Sequence, residues 1–183
     1  MWERVLSVGR RSVGGVIGIE SIALAPEEHL GNAVFARTMI GHFQAIELQE
    51  LADYAATNQG LDADFAHLEV AAGLHISDRA AQRRIQFAIT LTTRLPQTLA
   101  LLKQGGIEEY KAQLIAQAVE PLSDEHALEV ERRVLDKAPA QTPTQLRNRL
   151  AKVVLTVDPE GAEERRQEKR RDRRSEEHTS ELQ

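Results

Sequence analysis

The chain has no cysteine among its 183 residues, few aromatic residues and no long apolar run. Without cysteine there is no disulfide framework and no thiolate zinc site, and the composition suits a reducing compartment. The expected location is the cytoplasm. Aromatic residues make up 4% of the chain and hydrophobic residues 42%. The core must therefore be built from Leu, Ile, Val and Ala, a set that packs more readily as helices than as aromatic-rich strands. No apolar stretch reaches the roughly 18 residues that a membrane span needs, so no membrane partner is expected. No segment alternates with period two between turn signals, which leaves no expected strand. The expected fold class is all-α, a multi-helix bundle without a sheet.

Charge of one sign is also scarce. The formal net charge is -5, and three of the negative charges lie at Glu176, Glu177 and Glu181, which leaves -2 for residues 1–174. A near-neutral whole can still carry basic faces, so only the placement of Lys and Arg can point to a nucleic-acid partner.

Proline is rare and well placed. The six prolines, Pro26, Pro96, Pro121, Pro139, Pro143 and Pro159, punctuate the chain where helices begin or have just ended, because proline is tolerated in a first turn and breaks an interior. Between them the apolar spacing is helical. Ala81, Ile85, Ala88, Ile89, Thr92 and Leu95 share one face of a helix that Ser77 caps. Leu146, Leu150, Val153, Val154 and Val157 repeat the pattern after Thr142 as cap and Pro143 at the first position. A short helix is expected from Pro96 to Gln104, stopped by Gly105-Gly106, another from Glu108 to Val119, and a third from Ser123 through Ala138. Upstream, Phe35, Met39, Phe43, Ile46, Leu51 and Tyr54 mark a longer helix, with Gly41 an unfavourable residue in its interior. Asp158, Pro159 and Glu160 open a last, highly charged one running to Arg173.

Residues 1–25 are expected to form a poorly ordered tail. Arg10 and Arg11 precede a semi-apolar stretch, a loose likeness to a secretory signal that Glu20 and four glycines weaken. The ten residues Arg174 to Gln183 read as the translation of a common short-read sequencing adapter, through the codons AGA TCG GAA GAG CAC ACG TCT GAA CTC CAG. They are expected to be an artefact, and residues 26–173 to be the domain.

Val70 to Ile85 has the spacing of a helix-turn-helix: a short helix, a three- to four-residue turn, and a second helix capped by Ser77. The second helix offers Arg79, Gln82, Arg83 and Arg84 near its N-terminal end. Arg and Gln carry the paired donors and acceptors that fit guanine and adenine edges in the major groove. From Ser77 to Arg94 four arginines face one aspartate. The turn position that commonly holds glycine is His75, with Gly73 two residues earlier. A helical hairpin packed into the core with solvated arginines is the competing reading. Arg147, Arg149 and Lys152 make the helix after Thr142 a second basic element, and the two helices could share one face.

Catalytic signatures are missing. The six histidines, at 29, 42, 67, 75, 126 and 178, are scattered, with no i, i+3 or i, i+4 pair of the kind helical metal ligands form. Gly14-Gly15-Val16-Ile17-Gly18 lacks the spacing of a phosphate loop, and there is no nucleophile elbow. Glu163, Glu164, Arg165 and Arg166 read as a solvated, salt-bridged helix face. No cofactor, metal or catalytic residue is expected.

Three stretches carry a resemblance: Ala80-Ala81-Gln82-Arg83-Arg84-Ile85; Leu95-Pro96-Gln97-Thr98-Leu99-Ala100 with Gly106-Ile107; and Ala138-Pro139 with Thr142-Pro143-Thr144-Gln145-Leu146-Arg147, followed by Val157-Asp158-Pro159-Glu160-Gly161-Ala162. From Leu68 to Arg173 the chain resembles domain of unknown function 222, the helical N-terminal domain of the 13E12 repeat family, often followed by an HNH endonuclease domain. The resemblance implies an all-α fold and a fragment of a larger protein whose nuclease domain lies downstream. An HNH nuclease uses a histidine to activate water beside a metal-bound phosphate, and this sequence lacks that cluster. Two functions are therefore expected in competition. One is a non-catalytic module that binds double-stranded DNA or targets the nuclease to it; the other is a structural or oligomerisation scaffold, a homo-oligomer without DNA contact.

Overall fold

The computed structural model describes residues 26–58, 65–161 and 163. The expected N-terminal tail and the adapter-like segment lie outside the described residues. The chain divides into two units, Met1–Ala33 and Val34–Gln183. Of the first, residues 26–33 are described; they are the opening of a helix, and each is exposed.

The described residues are helical, without a strand: α1 (Pro26–Thr57), α2 (Ala66–Leu74), α3 (Asp78–Thr93), α4 (Pro96–Lys103), α5 (Glu109–Val119), α6 (Asp124–Val134), a 3-10 turn (Ala138–Ala140) and α7 (Pro143–Val157). The all-α expectation holds. The caps explain several boundaries. Ser77 Oγ accepts from Ala80 N, Ser123 Oγ accepts from His126 N, and Thr142 with Gln145 forms a reciprocal capping box ahead of Pro143. Each satisfies a first-turn N–H that the helix itself leaves without a partner.

Leu95 has no side chain that could cap α4. The acceptor arrives instead from α6, 33 residues away: Glu131 Oε1 takes Thr98 N at 2.7 Å and Thr98 Oγ1 at 2.8 Å, in the interior. The helix expected to run through Ala138 ends at Val134, and the chain tightens into the 3-10 turn. Its carbonyls are claimed from outside. The buried Lys111 Nζ donates to Ala138 O at 3.0 Å and to Pro139 O at 3.2 Å. Beyond α7 the backbone is helical again at residues 159–161, and the rest of the expected last helix lies outside the described residues.

One aliphatic core unites the helices. Leu48, Ala81, Ala88, Leu91, Leu95, Leu102, Ile115, Val119, Val130, Val134 and Leu146 are fully buried within it. Each fully buried leucine or isoleucine contributes about 2 kcal/mol relative to an exposed one. α5 packs against α3, α4, α6 and α7, and α2 packs on α3. In α1 the buried residues are Gly41, Ala45, Leu48, Leu51 and Ala52. A Cβ at Gly41 would stand 3.1 Å from Leu102 O, so the glycine that looked out of place in the sequence is where α1 approaches the backbone of the last turn of α4.

Candidate nucleic-acid interface

α2, a three-residue turn and α3 form as the spacing indicated, with α2 beginning at Ala66. His75 carries the turn with φ 55°, a left-handed conformation. Such a φ is uncommon outside glycine, and His is among the residues that tolerate it best. Ile76 N–H donates to Ala71 O at 3.0 Å and His75 N–H to Ala72 O at 3.4 Å, the paired bonds of a Schellman ending. The same pattern ends α4, where Gly106 N–H donates to Leu101 O and Gly105, φ 71°, to Leu102 O. His75 thus does for α2 what glycine does for α4, and Gly73 stays within the helix.

The basic residues of α3 part into two groups. Arg79, Gln82 and Arg83 are exposed, and among the described residues none of their side chains has a hydrogen-bond or ion-pair partner. They stand three and four residues apart, hence on one helical face. Arg84 points inward. Its Nε donates to Glu47 at 2.9 Å and its Nη2 to Glu109 at 3.2 Å, with a third bond from Nη1 to Glu109, and 20% of the side chain is exposed. Burial opposes the charge of this guanidinium, but the hydrogen bonds from Glu47 and Glu109 outweigh it and hold its pKa above the ordinary arginine value. Arg94 is also committed: Nε meets Asp124 at 2.7 Å, and Nη2 donates to Leu122 O and Val119 O, anchoring the segment between α5 and α6.

α7 shows the same division. Arg149 donates to Arg133 O and, at 2.7 Å, to Asp136. Arg147 is exposed and donates to the Tyr110 hydroxyl at 3.0 Å, and Lys152 is exposed without a partner among the described residues. Arg84 and Arg147 reach neighbouring residues, Glu109 and Tyr110, in the first turn of α5.

A groove of about 610 Å³ lies along α3 and α5, with Arg83, Arg84, Phe87, Arg94, Gln113 and Gln117 among its lining. Gln86, exposed and seven residues after Arg79, continues the outward face of α3 and also lines this groove. Gln86 was not among the residues expected from the sequence, although its i+7 spacing from Arg79 is the signal for a shared helical face. Among the described residues no group of three or more His, Asp or Glu side chains could hold a metal ion. No described helix is long and apolar enough to cross a membrane.

The family model described as "Domain of unknown function (DUF222)" matches residues 32–180. The chain belongs to this family. The match begins well before Leu68, where the recognisable motifs start, and takes in most of α1. Comparison with curated proteins and with solved structures gave no match.

Proposed function

We propose that this chain is the non-catalytic, DNA-contacting module of an HNH endonuclease-like protein, and that the first turns of α3 meet duplex DNA. One observation carries the reading. Arg79, Gln82 and Arg83 stand exposed on one face of a helix that follows a tight left-handed turn, and no internal partner uses them. That face lies at the end of the helix that a helix-turn-helix presents to a groove. Arg84 and Arg149 are left out of the contact set because their guanidiniums are held by internal carboxylates and carbonyls. Arg147 and Lys152 remain as phosphate contacts of a second helix.

Fluorescence anisotropy of the full chain on several duplexes, from low to physiological salt, tests this. Arg79→Ala and Arg83→Ala should each weaken binding. A residue that only neutralises a phosphate flattens the log-log salt slope by about one unit on every duplex. A residue that reads guanine costs on the order of 1 to 3 kcal/mol on some duplexes and little on others. Arg132→Ala is the control, because Arg132 is exposed on α6 and pairs locally with Glu129. Arg94 cannot serve, since its removal would also free the segment between α5 and α6. Absence of binding by the wild type at low salt, where attraction is strongest, would refute the proposal and favour the scaffold.

A further inference from the structure

α3 and α5 lie side by side and point the same way. Arg84 bonds to Glu109 and Arg94 to Val119 O, so the two helices keep an offset of 25 residues from one contact to the next. The groove of about 610 Å³ runs along this stretch, about 15 Å in length. Both ends are pinned, by Arg84 on Glu47 and Glu109 and by Arg94 on Asp124 and Leu122 O. At 100° per residue, Arg79, Gln82, Arg83 and Gln86 span about 100° of α3, and Arg94, Phe87 and Ala80 occupy about the next 60°. The groove therefore adjoins the outward face of α3, and Arg83 and Gln86 belong to both.

The lining is mostly polar. Ala80, Phe87 and Ala116 form its apolar part, while Gln86, Gln113 and Gln117 bring three amides. Gln113 Nε2 donates to Glu109 at 2.9 Å, which fixes that amide and leaves its oxygen to accept from a ligand. The side chains of Gln86 and Gln117 are exposed and, like Arg83, have no hydrogen-bond partner among the described residues.

We propose, on the reading that α3 meets duplex DNA, that this groove takes one unpaired base from the bound strand, so that the module favours a duplex interrupted by an extrahelical nucleotide. Its volume is that of a small-ligand site, enough for a nucleotide and too little for a duplex. Proteins hold an extruded base by hydrogen bonds to its Watson–Crick edge and by stacking on aromatic rings or guanidinium planes. The three amides supply the first. The half-buried ring of Phe87 and the fixed guanidinium of Arg94 supply the second, and Arg83 at the rim takes a flanking phosphate. A docking peptide helix asks for a row of apolar anchor sites, which three amides and a free arginine do not make. Extraction of a base costs least where the nucleotide already lacks a pairing partner, and this is why an interruption is preferred to a continuous duplex.

Fluorescence anisotropy of the full chain at low salt tests this on three ligands: a continuous duplex, the same duplex with one extra unpaired nucleotide, and that bulged duplex with an abasic unit at the extra position. The base-bearing bulge should bind about 10-fold tighter than the other two, as the stacking of one base allows. Gln117→Ala should lose most of this advantage and keep the affinity for continuous duplex, because Gln117 lies on α5, apart from the outward face of α3; the retained affinity also shows that the variant folds. Gln117→Glu, which brings a charge of the strand's own sign into the groove, should lose all of it. Equal affinity for the base-bearing bulge and the continuous duplex would overturn the proposal and leave duplex contact standing. An abasic bulge bound as tightly as the base-bearing one would also overturn it, since the chain would then be reading flexibility, and so would an undiminished preference in both Gln117 variants. Failure to bind any of the three ligands would refute duplex contact itself, and with it the occupant of the groove.

Discussion

α3 and α7 look alike in the sequence and behave differently in the fold. Each is an amphipathic helix with an outward run of basic residues, and each sends one arginine inward: Arg84 to Glu47 and Glu109, Arg149 to Arg133 O and Asp136. On α3 this leaves Arg79 and Arg83 aligned and unpartnered, with Gln82 beside them. On α7 it leaves Arg147, already bonded to Tyr110, and Lys152. Formal charge on a helix therefore overstates what a ligand can use, and the remainder depends on which carboxylates and carbonyls lie within reach on neighbouring helices.

This contrast can be broken most severely at Arg84. Removing it leaves Glu109, which is 11% exposed, with the bond from Gln113, and takes the same partner from the more exposed Glu47. Arg84→Ala should cost about 3 kcal/mol in urea unfolding, in keeping with the loss of one partner from a largely buried pair. A loss below about 1 kcal/mol would mean that the two glutamates are resolvated without difficulty. Arg149→Ala should be gentler. It removes bonds to a carbonyl and to the half-exposed Asp136, and about 1 to 2 kcal/mol is expected in the same assay. Arg79→Ala and Arg83→Ala should lie within about 0.5 kcal/mol of wild type. If either destabilised the fold as much as Arg149→Ala, that arginine would be structural, and its part in DNA binding could not be separated from folding.

How much of this was legible beforehand depended on the range of the cause. Ser77, Ser123 and Thr142-Pro143 act on bonds within their own first turns, and the sequence placed those starts correctly. Gly105 signalled the end of α4 because glycine reaches a left-handed turn without strain. His75 makes the same turn with a residue that gives weaker warning, so the turn position read as a departure when it was only an unusual occupant. Gly41 argued against a helix interior by propensity, and its cause, the backbone at Leu102, lies far along the chain. The same holds for the 3-10 turn after α6, whose carbonyls at Ala138 and Pro139 are held by Lys111. In the candidate interface the face of Arg79, Gln82 and Arg83 was readable from i, i+3, i+4 spacing. The withdrawal of Arg84 and Arg149 was not, because their partners sit on other helices. The stripe of Phe35, Met39, Phe43, Ile46, Leu51 and Tyr54 marks a helix, and of these Leu51 lies in the core and Tyr54 packs against it, whereas Phe35 and Phe43 are exposed. The core side of the same helix also holds Gly41, Ala45 and Leu48, and Gly41 comes closer to the α4 backbone than any larger residue could.

The carboxyl that caps α4 gives the bundle an unusual response to protons. Glu131 is fully buried, and while Oε1 serves Thr98, Oε2 has no hydrogen-bond partner. Burial disfavours its charged form, and this outweighs the bonds from Thr98, so its pKa is held above the ordinary glutamate value. The folded chain therefore binds this proton more tightly than the unfolded chain does. The stabilisation that results is complete below the ordinary glutamate pKa and is lost as the pH rises through the raised one. Most carboxylates in a protein make acid an enemy of the fold. At Glu131 the sign is reversed, and acid favours the folded chain.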